Sequence, residues 1–130
     1  MKSVLLLSHD PEVFKGLVAA ARHIACDGGT FDVSDVERVW CKDHSGRLIL
    51  VYGAEGPLED SYYGVEELPQ IMTLNIRGIH HFTLECRWAD LIVDYIQFAA
   101  AQIEGELWMV DGWDSVFNAV DLDPRTLRLE

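Results

Sequence analysis

Ser8-His9-Asp10 sets side by side the hydroxyl, imidazole and carboxylate that nucleophilic hydrolysis combines. Consecutive side chains diverge, whereas a base has to approach its nucleophile while a third group from a separate segment orients it. The string therefore reads as a strand-to-helix turn. His80-His81, followed by Glu85 and Cys86, offers metal-ligating types. Adjacent side chains on a strand point to opposite faces, so one site takes at most one of the two histidines, as His81 with Cys86 or His80 with Glu85. An ordinary surface-plus-core pair is the expectation here. His23 falls on a helix and His44 in a turn. Cys26, Cys41 and Cys86 are far apart, odd in number and without Cys-x-x-Cys spacing, the pattern of buried thiols in a reducing compartment. The chain has no Gly-x-Ser-x-Gly elbow, glycine-rich phosphate loop or His-Glu-x-x-His pair. The expectation is a protein without catalysis, cofactor or bound metal.

The elements that would position these residues follow from the apolar pattern. Val4 to Leu7 is a short continuous run that suits a central strand buried on both faces. Asp10-Pro11-Glu12 opens a helix, since the carboxylate can accept backbone N–H groups and proline suits the first helical position. Val13, Phe14, Leu17, Val18, Ala21, Ile24 and Ala25 recur at threes and fours, and Gly28-Gly29 stops the helix. Phe31 to Val33, Val36 to Lys42 and Arg47 to Tyr52 read as strands, the last two joined through Asp43-His44-Ser45-Gly46 as a hairpin. Gly53 to Pro69 reads as a long surface loop. Ile71 to Arg77 and His80 to Arg87 alternate as strands around Gly78, and Asp90 to Ile103 forms a second helix stopped at Gly105. A further hairpin runs from Leu107 to Val110 and Val116 to Ala119, and a last strand covers Thr126 to Leu129 after Asp123-Pro124. Trp40 and Trp88 are expected in the core. The order predicts an α+β domain over residues 1–130: a mostly antiparallel sheet with two main helices. Each half runs strand, helix, glycine stop, hairpin, a pattern that an internal duplication would produce.

The chain has 130 residues, 49% of them apolar, enough for one core that buries roughly two-thirds of the unfolded surface. Its 22 Asp and Glu against 10 Lys and Arg give a formal charge of -12. Nucleic acid and anionic membranes are repelled by such a surface, and a basic protein is drawn to it. The apolar run at the start is too short for a signal peptide, and no run approaches the length of a spanning helix, so a cytoplasmic location is expected.

Val4 to Val13 resembles the first strand and helix start of a response-regulator receiver domain over the first 25 or so residues. Ser8 and His9 stand where that family carries its metal-binding acidic pair, and Asp94 lies too late to serve as the phosphorylated aspartate. By size, charge and element order the whole chain resembles the immunity proteins that bacteria make against polymorphic toxins. That resemblance implies inhibition of a basic, nuclease-like toxin by covering its surface. The partner-binding residues expected from composition are Glu55, Glu59, Asp60, Tyr62, Tyr63, Glu66 and Glu67, in a stretch without any basic residue, with Trp113 and Asp114 as a second patch. Rings there supply buried area and carboxylates supply steering. Two other readings stand beside it: a dimeric secretion chaperone that holds an effector segment in an apolar groove, and an enzyme built around His80, Glu85 and Cys86.

Overall fold

The structure is a computed structural model that describes residues 2–34, 37–53, 79–112 and 115–127. In chain order its elements are β1 (Lys2–Ser8), α1 (Val13–Ala25), β2 (Thr30–Ser34), β3 (Arg38–Lys42), β4 (Leu48–Gly53), β5 (His80–Cys86), α2 (Ala89–Ala101), β6 (Leu107–Val110) and β7 (Val116–Asn118). A short 3-10 turn, Ala119–Asp121, follows β7. The seven strands form one sheet in the order β2-β3-β4-β5-β1-β6-β7, every described neighbour pair antiparallel. The α+β class expected from the pattern is the one observed.

Two crossovers organise this sheet. β1–α1–β2 carries the chain from the interior to one edge, and β5–α2–β6 carries it past β1 in the other direction. The two crossovers begin on antiparallel strands and move opposite ways, so a common hand places both helices on one face. There they pack against each other and on the strands. Val4 and Leu6 of β1, Val39 and Cys41 of β3, Ile49 and Val51 of β4, and Leu84 and Cys86 of β5 alternate onto that face and fill the core. Leu17, Ala20, Ala21 and Ile24 of α1 meet them, as do Ile92, Tyr95, Ile96 and Ala99 of α2.

The helices approach closely because Gly16 has no side chain. A Cβ there would lie 2.7 Å from Ile103 Cγ2 and 3.1 Å from the Ala99 carbonyl oxygen. On the outer side the His23 ring stacks on Phe98, with centroids 4.1 Å apart, and Nε2 of His23 lies 3.4 Å from Oδ1 of Asp94. Inside, the fully buried Tyr95 donates its hydroxyl to the Leu17 carbonyl across the pair at 2.7 Å. Replacing Tyr95 with phenylalanine deletes that bond and keeps the ring. A loss of about 1 kcal/mol is expected, seen as a lower urea midpoint at unchanged slope.

Three expectations are corrected. β3 begins at Arg38 rather than Val36, because Glu37 takes φ 54° and breaks the extended run. Over 126–127 the last strand is replaced by a turn: Asp123 accepts from Arg125 N–H through Oδ1, and its carbonyl accepts from Thr126 N–H. The rest of that expected strand lies outside the described residues. Trp40 sits half-buried on the sheet face away from the helices rather than in the core, whereas the half-buried Trp88 packs against the core as expected. The Ile71 to Arg77 strand also falls outside the described residues.

Candidate binding surface

At the β1–α1 junction the Ser8-His9-Asp10 string performs structural work. Ser8 is fully buried; its hydroxyl donates to the Glu106 carbonyl at 2.8 Å and accepts from Asp10 N–H at 3.1 Å. Asp10 accepts from Glu12 N–H at 2.8 Å through one oxygen, and from Glu104 and Gly105 N–H at 3.0 and 3.2 Å through the other. The Glu12 bond, then the Gly105 bond, hold the Asp10 carboxyl below the ordinary aspartate value against a smaller opposing effect of burial. One carboxylate thus holds the turn that leads into α1, which begins at Val13 rather than at the expected Pro11, and fastens the α2–β6 connection to the end of β1.

The metal pairings considered on β5 do not form. His81 and Cys86 are five positions apart, as are His80 and Glu85, and an odd separation on a strand places the two members on opposite faces. Cys86 is in the core and its thiol faces the Trp88 carbonyl at 3.8 Å. Glu85 lies on the other face and accepts from the Tyr52 hydroxyl at 3.1 Å. Among the described residues no group of three or more His, Cys, Asp or Glu is arranged to hold a metal ion. All three cysteines are free thiols, Cys26 exposed and Cys41 and Cys86 buried. Burial, followed by the nearby Cys86 and Asp43, pushes the Cys41 thiol up to about 12, and burial also pushes Cys86 up. Both stay protonated at neutral pH and are poor nucleophiles.

Across the sheet from the helices, the β3–β4 hairpin builds a groove of about 290 Å³ lined by Arg38, Trp40, Lys42, Leu48 and Leu50. Strand alternation generates it. Arg38, Trp40 and Lys42 project from one face of β3 while Val39 and Cys41 enter the core, and register sets Trp40 opposite Leu50 and Lys42 opposite Leu48. Tyr52 stands opposite Arg38, and Asp32 of β2 stands opposite Trp40. Burial, then the bond to Glu85, pushes the Tyr52 hydroxyl above its ordinary value, leaving it a neutral donor. The groove combines an indole, two aliphatic walls and two exposed cations.

The chain matches no family model, no curated protein and no solved structure. Its site must be read from its own residues.

Glu55, Glu59, Asp60, Tyr62, Tyr63, Glu66 and Glu67 lie outside the described residues, as do Trp113 and Asp114. The β3–β4 groove was not among the expected sites. Its signal was present as Arg38-x-Trp40-x-Lys42 followed, past a four-residue turn, by Leu48-x-Leu50. Those two alternations put cations and apolar groups on one face of a hairpin.

Proposed function

We propose that this chain is a binding protein without catalytic function, an immunity protein that neutralises a basic, nuclease-like toxin in the bacterial cytoplasm by covering part of its surface. The observation that carries the reading is the charge of -12, from 22 acids against 10 bases in 130 residues. Such a field speeds encounter with a basic protein and disfavours polyanions. The commitment of Ser8 and Asp10 to backbone groups supports it, because the one triad-like string in the chain is occupied in holding two connections together. No helix among the described residues is long and apolar enough to cross a membrane.

Co-expression with the product of the adjacent upstream gene tests the reading. Rescue of the host from that product, and a complex of the two that survives purification, are expected; a harmless product, or one that does not bind, overturns it. Within that complex, replacing Glu59, Asp60, Glu66 and Glu67 with lysine is expected to slow association at low salt by roughly tenfold or more and to flatten its salt dependence. An unchanged rate removes this stretch from the interface.

The Trp40, Leu48 and Leu50 floor of the groove, on the sheet face opposite α1 and α2, favours the secretion-chaperone reading as the second one. It requires a stable homodimer, so a monomeric mass by light scattering excludes it.

A further inference from the structure

We infer that the β3–β4 groove is a docking site for an extended acidic protein segment that carries an apolar side chain between two carboxylates. The inference does not rest on the toxin proposed above. Its starting point is the pairing of the cations. Lys15 pairs with Glu12, Arg47 with Asp43 and Asp90, and Arg125 with Asp123, while Arg22 lies over the Phe31 ring. Among the described residues Arg22, Arg38, Lys42 and Arg87 form no ion pair, and of these four only Arg38 and Lys42 share a strand and a face.

Both flank Trp40 on the same strand and the same face, and their direct neighbours there are Ser34, Tyr52, Thr30 and Leu48. The two acids closest in register sit beside the middle of the stripe instead. Asp32 is opposite Trp40, and Glu85, opposite Leu50, already accepts from Tyr52. Positive charge at both ends of an apolar floor therefore complements a ligand with negative ends and an apolar centre.

Length selects the ligand further. Four residue steps of strand separate Arg38 from Lys42, about 13 Å, the distance between the first and fifth residues of an extended peptide. An acid–x–apolar–x–acid segment lying along β3 brings one carboxylate to each cation and its central side chain onto Trp40, Leu48 and Leu50. Nucleic acid fits less well, because its continuous phosphates would meet the acids of the whole surface as well as these two cations.

The probe is the peptide acetyl-Glu-Ser-Leu-Ser-Glu-amide, titrated into the isotope-labelled full chain and followed by NMR, with the same peptide carrying lysines at both ends as its control. Saturable shifts at the Trp40 indole and at the amides of Arg38, Lys42, Leu48 and Leu50 are expected, weakened by salt. In the double variant R38E/K42E the affinity should fall roughly tenfold or more at an unchanged melting temperature, since each exposed ion pair contributes a few-fold. Absence of shifts at millimolar peptide overturns the proposal, as does an equal response to the lysine peptide. Stronger shifts with a short oligothymidylate at the same salt would assign the groove to nucleic acid. A concentration-dependent dimer abolished by R38E/K42E would assign it to a second copy of this chain.

Discussion

Gly29→Ala is expected to destabilise the protein by about 3 kcal/mol or more, or to abolish soluble folding. A Cβ at this position would lie 2.1 Å from the Lys42 carbonyl oxygen, 2.8 Å from the Ala25 Cα and 3.0 Å from the Ala25 carbonyl oxygen. All three are backbone atoms, so no side chain can swing away to make room. Relief requires moving either the end of α1, where Gly29 N–H donates to Ala25 at 2.9 Å, or β3, which is hydrogen-bonded on both sides. The adjacent Gly28 differs in kind. It adopts φ 106°, and its nearest neighbour to a new Cβ is His44 Cβ at 3.9 Å. Gly28→Ala meets only torsional strain, roughly 1–2 kcal/mol. Urea unfolding of the two variants separates close approach from backbone conformation. A Gly29→Ala protein as stable as Gly28→Ala contradicts the packing described here.

Asp43→Ala is expected to lose about 2–3 kcal/mol, the second largest effect. Asp43 is 7% exposed at the β3–β4 turn, and one oxygen accepts from Ser45 and Arg47 N–H, both at 2.9 Å. The other accepts from Arg47 Nε at 2.8 Å, while the far side of the same guanidinium reaches Asp90 at 3.1 Å and lies over the Trp88 ring. One side chain therefore closes the hairpin and, through Arg47, fastens it to the first turn of α2. Burial pushes the Asp43 carboxyl up, but the bonds from Arg47 and Ser45 outweigh it and leave the group below its ordinary value. The sign of the linkage follows. The folded form binds this proton less readily than the unfolded one, so the contribution is complete above the ordinary aspartate value of about 4 and is lost as pH falls below it. Asp43→Asn keeps an acceptor for the two backbone N–H groups and discards the charge. It should lose less stability than alanine, and its stability should fall less steeply between pH 5 and about pH 3 than that of the parent. An Asn variant with an unaltered acid limb would show that Asp43 does not carry this linkage.

Local features of this fold were legible in the sequence, and choices between faces were not. Leu17, Ala21 and Ile24 mark the buried stripe of α1 through spacing alone, and Asp43-His44-Ser45-Gly46 announces its turn because aspartate folds back on backbone N–H groups two and four residues ahead. Asp10 was legible as a residue that folds back on Glu12 N–H ahead of α1, though not as its cap; its hold on Glu104 and Gly105 was not legible, since those residues arrive only when α2 returns to the sheet. Trp40 shows the same limit. Alternation on β3 makes two sets, and nothing within five residues says which set the helices will cover. Both crossovers settle that, and they leave the indole with Arg38 and Lys42 on the opposite side. The rejection of the His81–Cys86 and His80–Glu85 pairings, by contrast, needed only the parity of five.

The position of β1 sets the timetable of assembly. It lies between β5 and β6, so its first partner begins about seventy positions further along the chain and its second nearly thirty positions beyond that start. The β2–β3–β4 meander closes through short connections and can form while synthesis continues, but the centre of the sheet is laid down last. Until then Val4 to Leu7 stays an unpaired apolar strand on the nascent polypeptide. Such non-local pairing slows folding relative to a chain of local contacts and leaves β1 without its strand partners until β5 and β6 have been made.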